Sequence, residues 1–195
     1  MGIVISGVIL AGGANKRFDG ITKATIIIDG EKIITRMIGT LRDLFEELII
    51  VTNTSKEFQE FSECKIIEDQ YKNAGPLGGI HAALKSTSSD SIFVFAGDMP
   101  FLDKKIIVDQ IEEFNRNDYD VLIPRVGELI EPLHAIYRKS VLEYLERFLA
   151  DGKKMAVRDF FSELNAGYFR IHETPDALKA FTNINLPSDI TSFNH

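Results

Sequence analysis

A glycine pair followed by basic residues is the first part of this sequence that could do chemistry. Gly12-Gly13 ends an apolar run, and Lys16, Arg17 and Lys23 follow the pair. Glycine lets the backbone approach a ligand closely and direct its N–H groups at it. Arginine and lysine bind phosphate oxygens. The pattern predicts a loop that binds a nucleoside triphosphate, although a glycine pair alone also fits an ordinary turn.

The glycine pair does not match the two most familiar phosphate-binding sequences. It lacks the G-x-x-x-x-G-K-[ST] order of a P-loop and the G-x-G-x-x-G order of a dinucleotide site. Lys23 is expected to meet a phosphate as a point charge, and Arg17 as a planar fork. Lys16 is expected to lie on the surface.

Two aspartates follow predicted strands. Asp98 comes just after the apolar run at 92–96, where it could hold Mg²⁺ together with water and phosphate oxygens. It could instead cap the helix that begins near Asp103. Asp69 follows the predicted strand at 64–67. It could contact a metal, a ribose hydroxyl or a base, or it could be a turn carboxylate.

Three asparagines are further candidates for ligand contacts. Asn53 follows the predicted strand at 48–52 and could contact a base or ribose, or simply make a turn. Asn183 and Asn185 lie in an otherwise apolar segment. Buried amides need hydrogen-bond partners, so this pair either braces a loop or contacts a metal and phosphates.

The elements that must position these residues alternate between strand and helix in the first half of the chain. Apolar runs predict strands at 3–10, 48–52, 64–67 and 92–96, with amphipathic helices at about 33–45, 80–85 and 106–114. A glycine-rich loop at 73–79 precedes the second of these helices. This alternation predicts an α/β fold with a parallel sheet between helices. Ligands bind such sheets beyond the carboxyl ends of the strands, where Gly12-Gly13, Asn53, Asp69 and Asp98 would meet.

The second half alternates less regularly. Strands are predicted at 121–124, 132–137 and 168–171, and helices at about 141–149 and 157–164, with a further helix starting at Thr174-Pro175-Asp176. The sequence contains no internal repeat or linker. We therefore expect one domain over 1–195, with a nucleotide-binding half at about 1–115 and a second half at about 116–195 that could form an acceptor pocket.

Composition narrows the function classes. The 195 residues carry a net charge of −7, which argues against a general nucleic-acid binder. No stretch resembles a signal peptide, and the apolar run at the start is too short to span a bilayer. The only cysteine, Cys64, lies in an apolar strand and is expected to be buried and unreactive. The prediction is a cytoplasmic protein that binds neither nucleic acid nor membranes.

The histidines do not indicate a catalytic or zinc site. No histidine or cysteine cluster has zinc spacing. His81 is expected to help shape a pocket beside the second glycine-rich loop. His134 is expected to lie in a strand with its ring nitrogens hydrogen-bonded.

The ordered motifs resemble one protein family along nearly the whole chain. Leu10-Ala11-Gly12-Gly13, Arg17 and then Lys23 resemble the signature of the nucleotide-diphospho-sugar transferase superfamily. The later motifs are similar to those of the molybdenum cofactor guanylyltransferases; they lie at 75–80, 97–102, 131–137 and 181–189. The resemblance implies a three-layer Rossmann-like fold with a mostly parallel central sheet.

The resemblance also implies a reaction and a set of site residues. It implies transfer of GMP from GTP to the terminal phosphate of molybdenum-molybdopterin, with Mg²⁺ held by Asp98 and release of pyrophosphate. Arg17, Lys23 and Asp98 would be the catalytic residues. The nucleotide would be bound by Leu10, Ala11, Gly12, Lys23, Asn53, Asp69 and Asp98, with Gly13, Gly78, Gly79, Asn183 and Asn185 as further candidates. Molybdoenzymes or their chaperones would be downstream partners.

Three positions depart from the family pattern. Asp19 stands where the family tends to have glycine, Thr22 where aspartate is common, and Met99 where a small polar residue is common. Two alternatives therefore stay open. One is a nucleotidyltransferase for another substrate, such as a cytidylyl or a sugar- or alditol-phosphate enzyme. The other is a non-catalytic nucleotide-binding protein, which Asp19 and Thr22 would favour.

Overall fold

Helices and strands alternate around one large sheet. The computed structural model describes residues 3–12, 22–71, 74–150, 157–185 and 189. The strands are β1 (Ile5–Leu10), β2 (Ile27–Ile28), β3 (Glu31–Lys32), β4 (Leu48–Val51), β5 (Lys65–Ile67), β6 (Ser91–Ala96), β7 (Val121–Val126), β8 (Leu129–Ile130), β9 (His134–Arg138) and β10 (Ala166–Ile171). The helices are α1 (Ile33–Leu41), α2 (Pro76–Ser86), α3 (Lys104–Arg116), α4 (Leu142–Ala150), α5 (Val157–Phe160) and α6 (Pro175–Ala180).

The sheet is mostly parallel, as predicted. Its strand order is β10-β7-β9-β6-β1-β4-β5, with β8 paired to β7, while β2 and β3 form a separate hairpin. The pairs β6–β1, β1–β4 and β4–β5 are parallel. Strand β9 runs antiparallel to both β6 and β7. The predicted α/β fold class is therefore confirmed.

Both faces of the sheet are covered, which makes three layers. Every residue of β6 and of β4 is buried, and apart from Ser91 both runs are apolar without alternation, as expected for strands between two helix layers. One face packs on α1 and α3, through residues such as Met37 and Phe114. The other packs on α2, α4 and α5, through residues such as Ile80, Leu145 and Phe160. Cys64 is buried, as predicted, and burial raises its pKa to about 11. No helix in the described ranges is long and apolar enough to cross a membrane.

Several predicted boundaries differ from those of the structure, and two of the corrections involve glycines. Helix α2 begins at Pro76 rather than near Ile80, so Gly78 and Gly79 belong to its first turn instead of a loop. Proline suits the first turn of a helix, because backbone N–H groups there have no acceptor within the helix and proline loses no hydrogen bond by lacking one. Gly75 precedes it with φ 60°. Strand β7 continues beyond the predicted end at 124 to Val126. It does so because Gly127, with φ 57°, reverses the chain into β8.

His134 lies in the core without the hydrogen bonds predicted for it. Its ring packs against Phe93, Phe95 and Phe181, with ring-centroid distances of 5.2, 5.1 and 4.8 Å. Neither ring nitrogen has a hydrogen-bond partner within the described residues. The expectation of a hydrogen-bonded histidine is therefore wrong. Burial lowers the pKa of His134 to about 4, so the ring is neutral in the folded protein.

This burial makes stability depend on pH in a predictable direction. The unfolded chain protonates His134 near pH 6.5, whereas the folded chain does so only near pH 4. The stabilisation is complete above pH 6.5 and is lost as the pH falls towards 4. Urea unfolding should show His134 contributing about 2 kcal/mol to the loss of stability between pH 7 and pH 5. His134→Phe should remove this contribution. An identical pH dependence in the two proteins would contradict it.

Candidate active site

The central strands end level with one another, which brings the predicted site residues to one edge. Leu10 pairs with both Val51 and Ala96, and Val51 pairs with Ile67, so four strands end in register. Each is followed two positions later by a predicted site residue: Gly12, Asn53, Asp69 and Asp98. The register of the strands therefore places these four positions together at the carboxyl edge of the sheet, as predicted.

Lys23, Asp98 and Asn185 form the centre of the edge. The ammonium group of Lys23 donates to Asp98 Oδ2 at 2.7 Å and to Asn185 Oδ1 at 2.9 Å. The Lys23 and Asp98 side chains are 21% and 18% exposed, so solvent screens the pair only partly. The backbone N–H of Ile184 donates to the carbonyl of Asp98 at 2.9 Å, which holds the segment around Asn185 against the loop after β6.

Asp98 does not cap the following helix. The N-cap of α3 is Asp103, whose Oδ1 accepts from the backbone N–H of Ile106 at 3.0 Å. Asp98 Oδ1 has no hydrogen-bond partner among the residues that the structure describes. The carboxylate that the sequence assigned to a metal is therefore free of the alternative structural role.

The donor set at Asp98 fits Mg²⁺. Magnesium takes oxygen ligands and needs only one or two protein carboxylates, because water and phosphate oxygens complete its shell. Asp98 offers a partly exposed carboxylate with one oxygen not engaged by the described residues. Among those residues no group of three His, Cys, Asp or Glu side chains could hold a metal. A site built on Asp98 would thus depend on the phosphates of the substrate.

Asp69 lies against the first turn of α2. Its Oδ1 accepts from the backbone N–H of Tyr71 at 2.8 Å, so it makes the turn contact that was one of its predicted alternatives. A Cβ at Gly78 would lie 2.6 Å from both carboxylate oxygens, so only glycine fits there without displacing them. Burial raises the pKa of Asp69, although the Tyr71 N–H and nearby His81 oppose this. Its Oδ2 has no partner among the described residues.

Two further glycines allow close packing around the end of β1. A Cβ at Gly97 would lie 2.8 Å from the carbonyl oxygen of Leu10, and one at Gly79 would lie 3.0 Å from a Leu10 methyl group. Gly79 therefore packs α2 onto β1. It thereby supports the end of β1 beside Leu10. The next residue, Ala11, donates its N–H to the carbonyl of Val51.

The other predicted site residues differ in their burial and in their contacts. Gly12 and Asn53 are exposed at the edge, whereas Asn183 Oδ1 is buried without a partner in the described part of the chain. Thr22, one of the departures from the family pattern, is buried with its hydroxyl 3.3 Å from that of Thr54. Met99, another departure, is fully buried. Gly13, Arg17, Lys16 and Asp19 lie outside the described residues.

Glu131 is a residue of this edge to which the sequence analysis assigned no role. It precedes β9 and its carbonyl accepts from the N–H of His134 at 3.1 Å. Burial raises the pKa of Glu131, and the negative charge of Asp98 raises it further. A glutamate before proline at the predicted start of a strand was the available signal. It was missed because β9 runs antiparallel, so its beginning rather than its end lies at this edge.

A family model described as the MobA-like NTP transferase domain matches residues 7–166. The chain belongs to this family. The predicted resemblance and the predicted enzyme class, a nucleotidyltransferase, are thereby confirmed.

Similar proteins agree with membership of the MobA-like NTP transferase family. The chain is 38% identical over 158 residues to a Clostridium perfringens protein named "Probable molybdenum cofactor guanylyltransferase", covering 80% of this chain and 77% of the relative. It is 32% identical over 189 residues to the molybdenum cofactor guanylyltransferase of Desulfosudis oleivorans, covering 95% and 92%. The crystal structure of molybdopterin-guanine dinucleotide biosynthesis protein A from Archaeoglobus fulgidus has a TM-score of 0.81, 29% identity and 96% coverage of both chains.

The contact between Asp69 and Gly78 yields a prediction for this MobA-like domain. The sequence predicts that Asp69 binds the nucleotide GTP. On that expectation Gly78→Ala should weaken GTP binding about tenfold, because the new Cβ must displace the Asp69 carboxylate. Alanine favours the helix more than glycine does, and this offsets the cost of moving the carboxylate. The free energy of unfolding should therefore fall by no more than about 1 kcal/mol, and it could also rise. Calorimetric titration and urea unfolding would measure both.

Gly39 supplies the matched control. It lies exposed in α1, and a Cβ there would meet nothing within 4 Å. Gly39→Ala should raise stability by about 0.5–1 kcal/mol and leave GTP affinity unchanged. Equal GTP affinities for the Gly78→Ala and Gly39→Ala proteins would show that the position of Asp69 does not matter for binding.

Proposed function

We propose that the protein transfers GMP from GTP to the terminal phosphate of molybdopterin, which forms a molybdopterin guanine dinucleotide and releases pyrophosphate. The observation that carries this proposal is the cluster of Lys23, Asp98 and Asn185 at the carboxyl edge of the sheet, at 2.7 and 2.9 Å. The names of the relatives, which are molybdenum cofactor guanylyltransferases, support the choice of nucleotide and acceptor.

The reaction is a displacement at phosphorus. An oxygen of the molybdopterin phosphate forms a bond to the α-phosphorus of GTP, and the bond from that phosphorus to the bridging oxygen of the β-phosphate breaks. The electron pair of that bond leaves with pyrophosphate. A phosphate nucleophile is already ionised at neutral pH, so the protein needs no strong general base. Its task is to align two anionic groups and to offset their charge.

The residues of the edge have distinct roles in this scheme. Lys23 would bind the phosphates of GTP as a fixed positive charge, while its contacts to Asp98 and Asn185 orient it. Asp98 would hold Mg²⁺, which when bound would supply positive charge at the phosphates. Arg17 remains a predicted phosphate ligand, on the sequence pattern alone.

Asp69 would recognise guanine. A carboxylate can accept hydrogen bonds from the ring N1–H and the 2-amino group of guanine together, whereas adenine, uracil and cytosine do not present this pair of donors. Asp69 lies two residues beyond β5, at the far side of the edge from β9. Its partly buried carboxylate, with Oδ2 not engaged by the described residues, suits that task.

The strand order supports separate sites for the two substrates. Gly12, Asn53 and Asp69 follow β1, β4 and β5, which lie on one side of β6. Strands β9, β7 and β10, all from the second half of the chain, lie on the other side. Asp98 follows β6 between the two groups. We therefore propose that GTP lies over β1, β4 and β5, that molybdopterin lies over β9 and β7, and that their phosphates meet at Asp98.

A nucleotide panel tests the proposal against its two rivals. Thermal unfolding would be followed with GTP, ATP, CTP or UTP, each with and without Mg²⁺. A ligand at a hundredfold excess over Kd stabilises the folded protein by about 2.7 kcal/mol. We expect GTP, but not ATP, CTP or UTP, to raise the Tm by several degrees, and the rise should be larger when Mg²⁺ is present. A rise with CTP or UTP would favour another nucleotidyltransferase. Binding of GTP without pyrophosphate release in the presence of molybdopterin would favour a non-catalytic protein.

Replacement of Asp98 tests the catalytic assignment. Asp98→Asn should lower turnover by about two to three orders of magnitude, because the neutral amide binds Mg²⁺ poorly and leaves Lys23 without its charge partner. Pyrophosphate release would measure turnover. Asp103→Asn is the control: asparagine also caps helices well, so turnover and Tm should be retained. Near-normal turnover of the Asp98→Asn protein would refute the role of Asp98.

A further inference from the structure

His81 is a buried histidine that none of the proposed catalytic steps uses. It lies in α2 with 1% of its surface exposed. Its Nε2 lies 3.2 Å from Oε1 of Glu146 on α4. An ionised carboxylate only accepts hydrogen bonds, so Nε2 carries the proton of this bond. The other ring nitrogen, Nδ1, has no hydrogen-bond partner among the described residues.

Packing alone does not account for an imidazole at this position. A buried polar atom without a partner costs about 1–3 kcal/mol. Phenylalanine would fill a similar volume without leaving a nitrogen unpaired. What the imidazole adds is the hydrogen bond to Glu146, which fixes the orientation of the ring by tying it to α4. The feature of His81 that needs an explanation is therefore its fixed orientation.

The oriented ring contacts the residue that holds Asp69. The rings of His81 and Tyr71 meet edge to face, with centroids 4.7 Å apart and planes at 82°. Such aromatic pairs contribute about 0.5–1.5 kcal/mol and depend on geometry. The backbone N–H of Tyr71 in turn donates to Asp69 Oδ1 at 2.8 Å. A continuous set of contacts thus runs from Glu146 through His81 and Tyr71 to the carboxylate.

The opposite side of that carboxylate is also formed by α2. Gly78, one helical turn before His81, lies so close to Asp69 that a Cβ there would be 2.6 Å from both oxygens. Asp69 is therefore held between the backbone of α2 and the N–H of Tyr71. The backbone of Gly78 is fixed by the helix, whereas Tyr71 lies in a bend and has the His81 ring as its aromatic support.

We infer that His81 is a positioning residue for guanine recognition: through Tyr71 it fixes the Asp69 carboxylate in the orientation that accepts both the N1–H and the 2-amino group of the base. This inference rests on the proposed role of Asp69. His81 itself does not touch the nucleotide. Glu146, from the second half of the chain, is also part of this set of contacts, because its carboxylate sets the orientation of the His81 ring.

Comparison of GTP with inosine triphosphate measures this orientation directly. Hypoxanthine keeps the N1–H and the carbonyl of guanine but lacks the 2-amino group. A correctly oriented carboxylate loses one charge-assisted hydrogen bond with inosine triphosphate, which should weaken binding about tenfold or more. A misplaced carboxylate gains little from the 2-amino group, so the ratio of the two Kd values falls. A loss of packing alone would weaken both nucleotides by the same factor.

The experiment is calorimetric titration of each nucleotide with Mg²⁺ into the full chain and its variants. His81→Leu and Glu146→Leu should each reduce the preference for GTP to about threefold or less. Glu146→Gln should retain the preference, because its amide oxygen still accepts from Nε2–H. The double variant His81→Leu/Glu146→Leu should be no worse than His81→Leu alone, as expected for residues that act through one contact. If His81→Leu fails to fold, the Glu146 variants alone decide, since that side chain is 44% exposed.

Glu143→Leu is the matched control, since Glu143 is exposed on the same helix. It should leave both affinities unchanged. An unaltered preference for GTP in the His81→Leu and Glu146→Leu proteins, or an equal weakening of both nucleotides, would overturn the inference. The proposed role of Asp69 fails separately, if the unsubstituted protein binds both nucleotides equally or if Asp69→Asn keeps the preference. The proposed guanylyl transfer fails separately again, if pyrophosphate is not released.

Discussion

The register of the parallel strands is the constraint on which the rest of the structure depends. Leu10, Val51, Ile67 and Ala96 are aligned by the hydrogen-bond ladders of the sheet, so the residues after them lie at one level. A shift of one residue in any of these strands would turn its buried side chains to the other face, and the helix layers on both faces resist this. The apolar core therefore sets where Asp69 and Asp98 lie, although neither belongs to it.

The ion pair at the edge serves positioning more than stability. Lys23 and Asp98 are each about one-fifth exposed, and pairs of this kind contribute little net free energy, because desolvation offsets their attraction. The third member, Asn185, comes from the segment tied to the Asp98 carbonyl by Ile184. Three distant parts of the chain thus converge on one ammonium group. Such convergence fixes charge in space before substrates arrive, which is how electrostatic preorganisation accelerates phosphoryl chemistry.

Local patterns in the sequence were sufficient to predict the central strands and the position of Asp98 at their shared edge. The runs before Gly12 and Asp98 are almost unbroken apolar sequences, and this predicts buried parallel strands and their shared edge. Long-range contacts were not predictable in the same way. The approach of Asp69 to Gly78 depends on how α2 packs on β5, and glycines at 78 and 79 suggested a loop when they lie in a helix. His134 was expected to find partners, but its neighbours proved to be three phenylalanines. Glu131 was missed because the direction of β9 does not follow from its composition.

The contact between Lys23 and Asn185 also has a consequence for the order in which the protein matures. These residues are 162 positions apart, so their contact closes a loop that includes nearly all of the central sheet. Contacts of such high sequence separation form late in folding. During synthesis, the strands that precede Asn185 leave the ribosome before the ammonium group can acquire this partner. A nascent chain that ends before Asn185 therefore lacks one of the two partners of the Lys23 ammonium group. Nucleotide bound beside Lys23 and Asp98 would therefore report that the segment around Asn185 has docked.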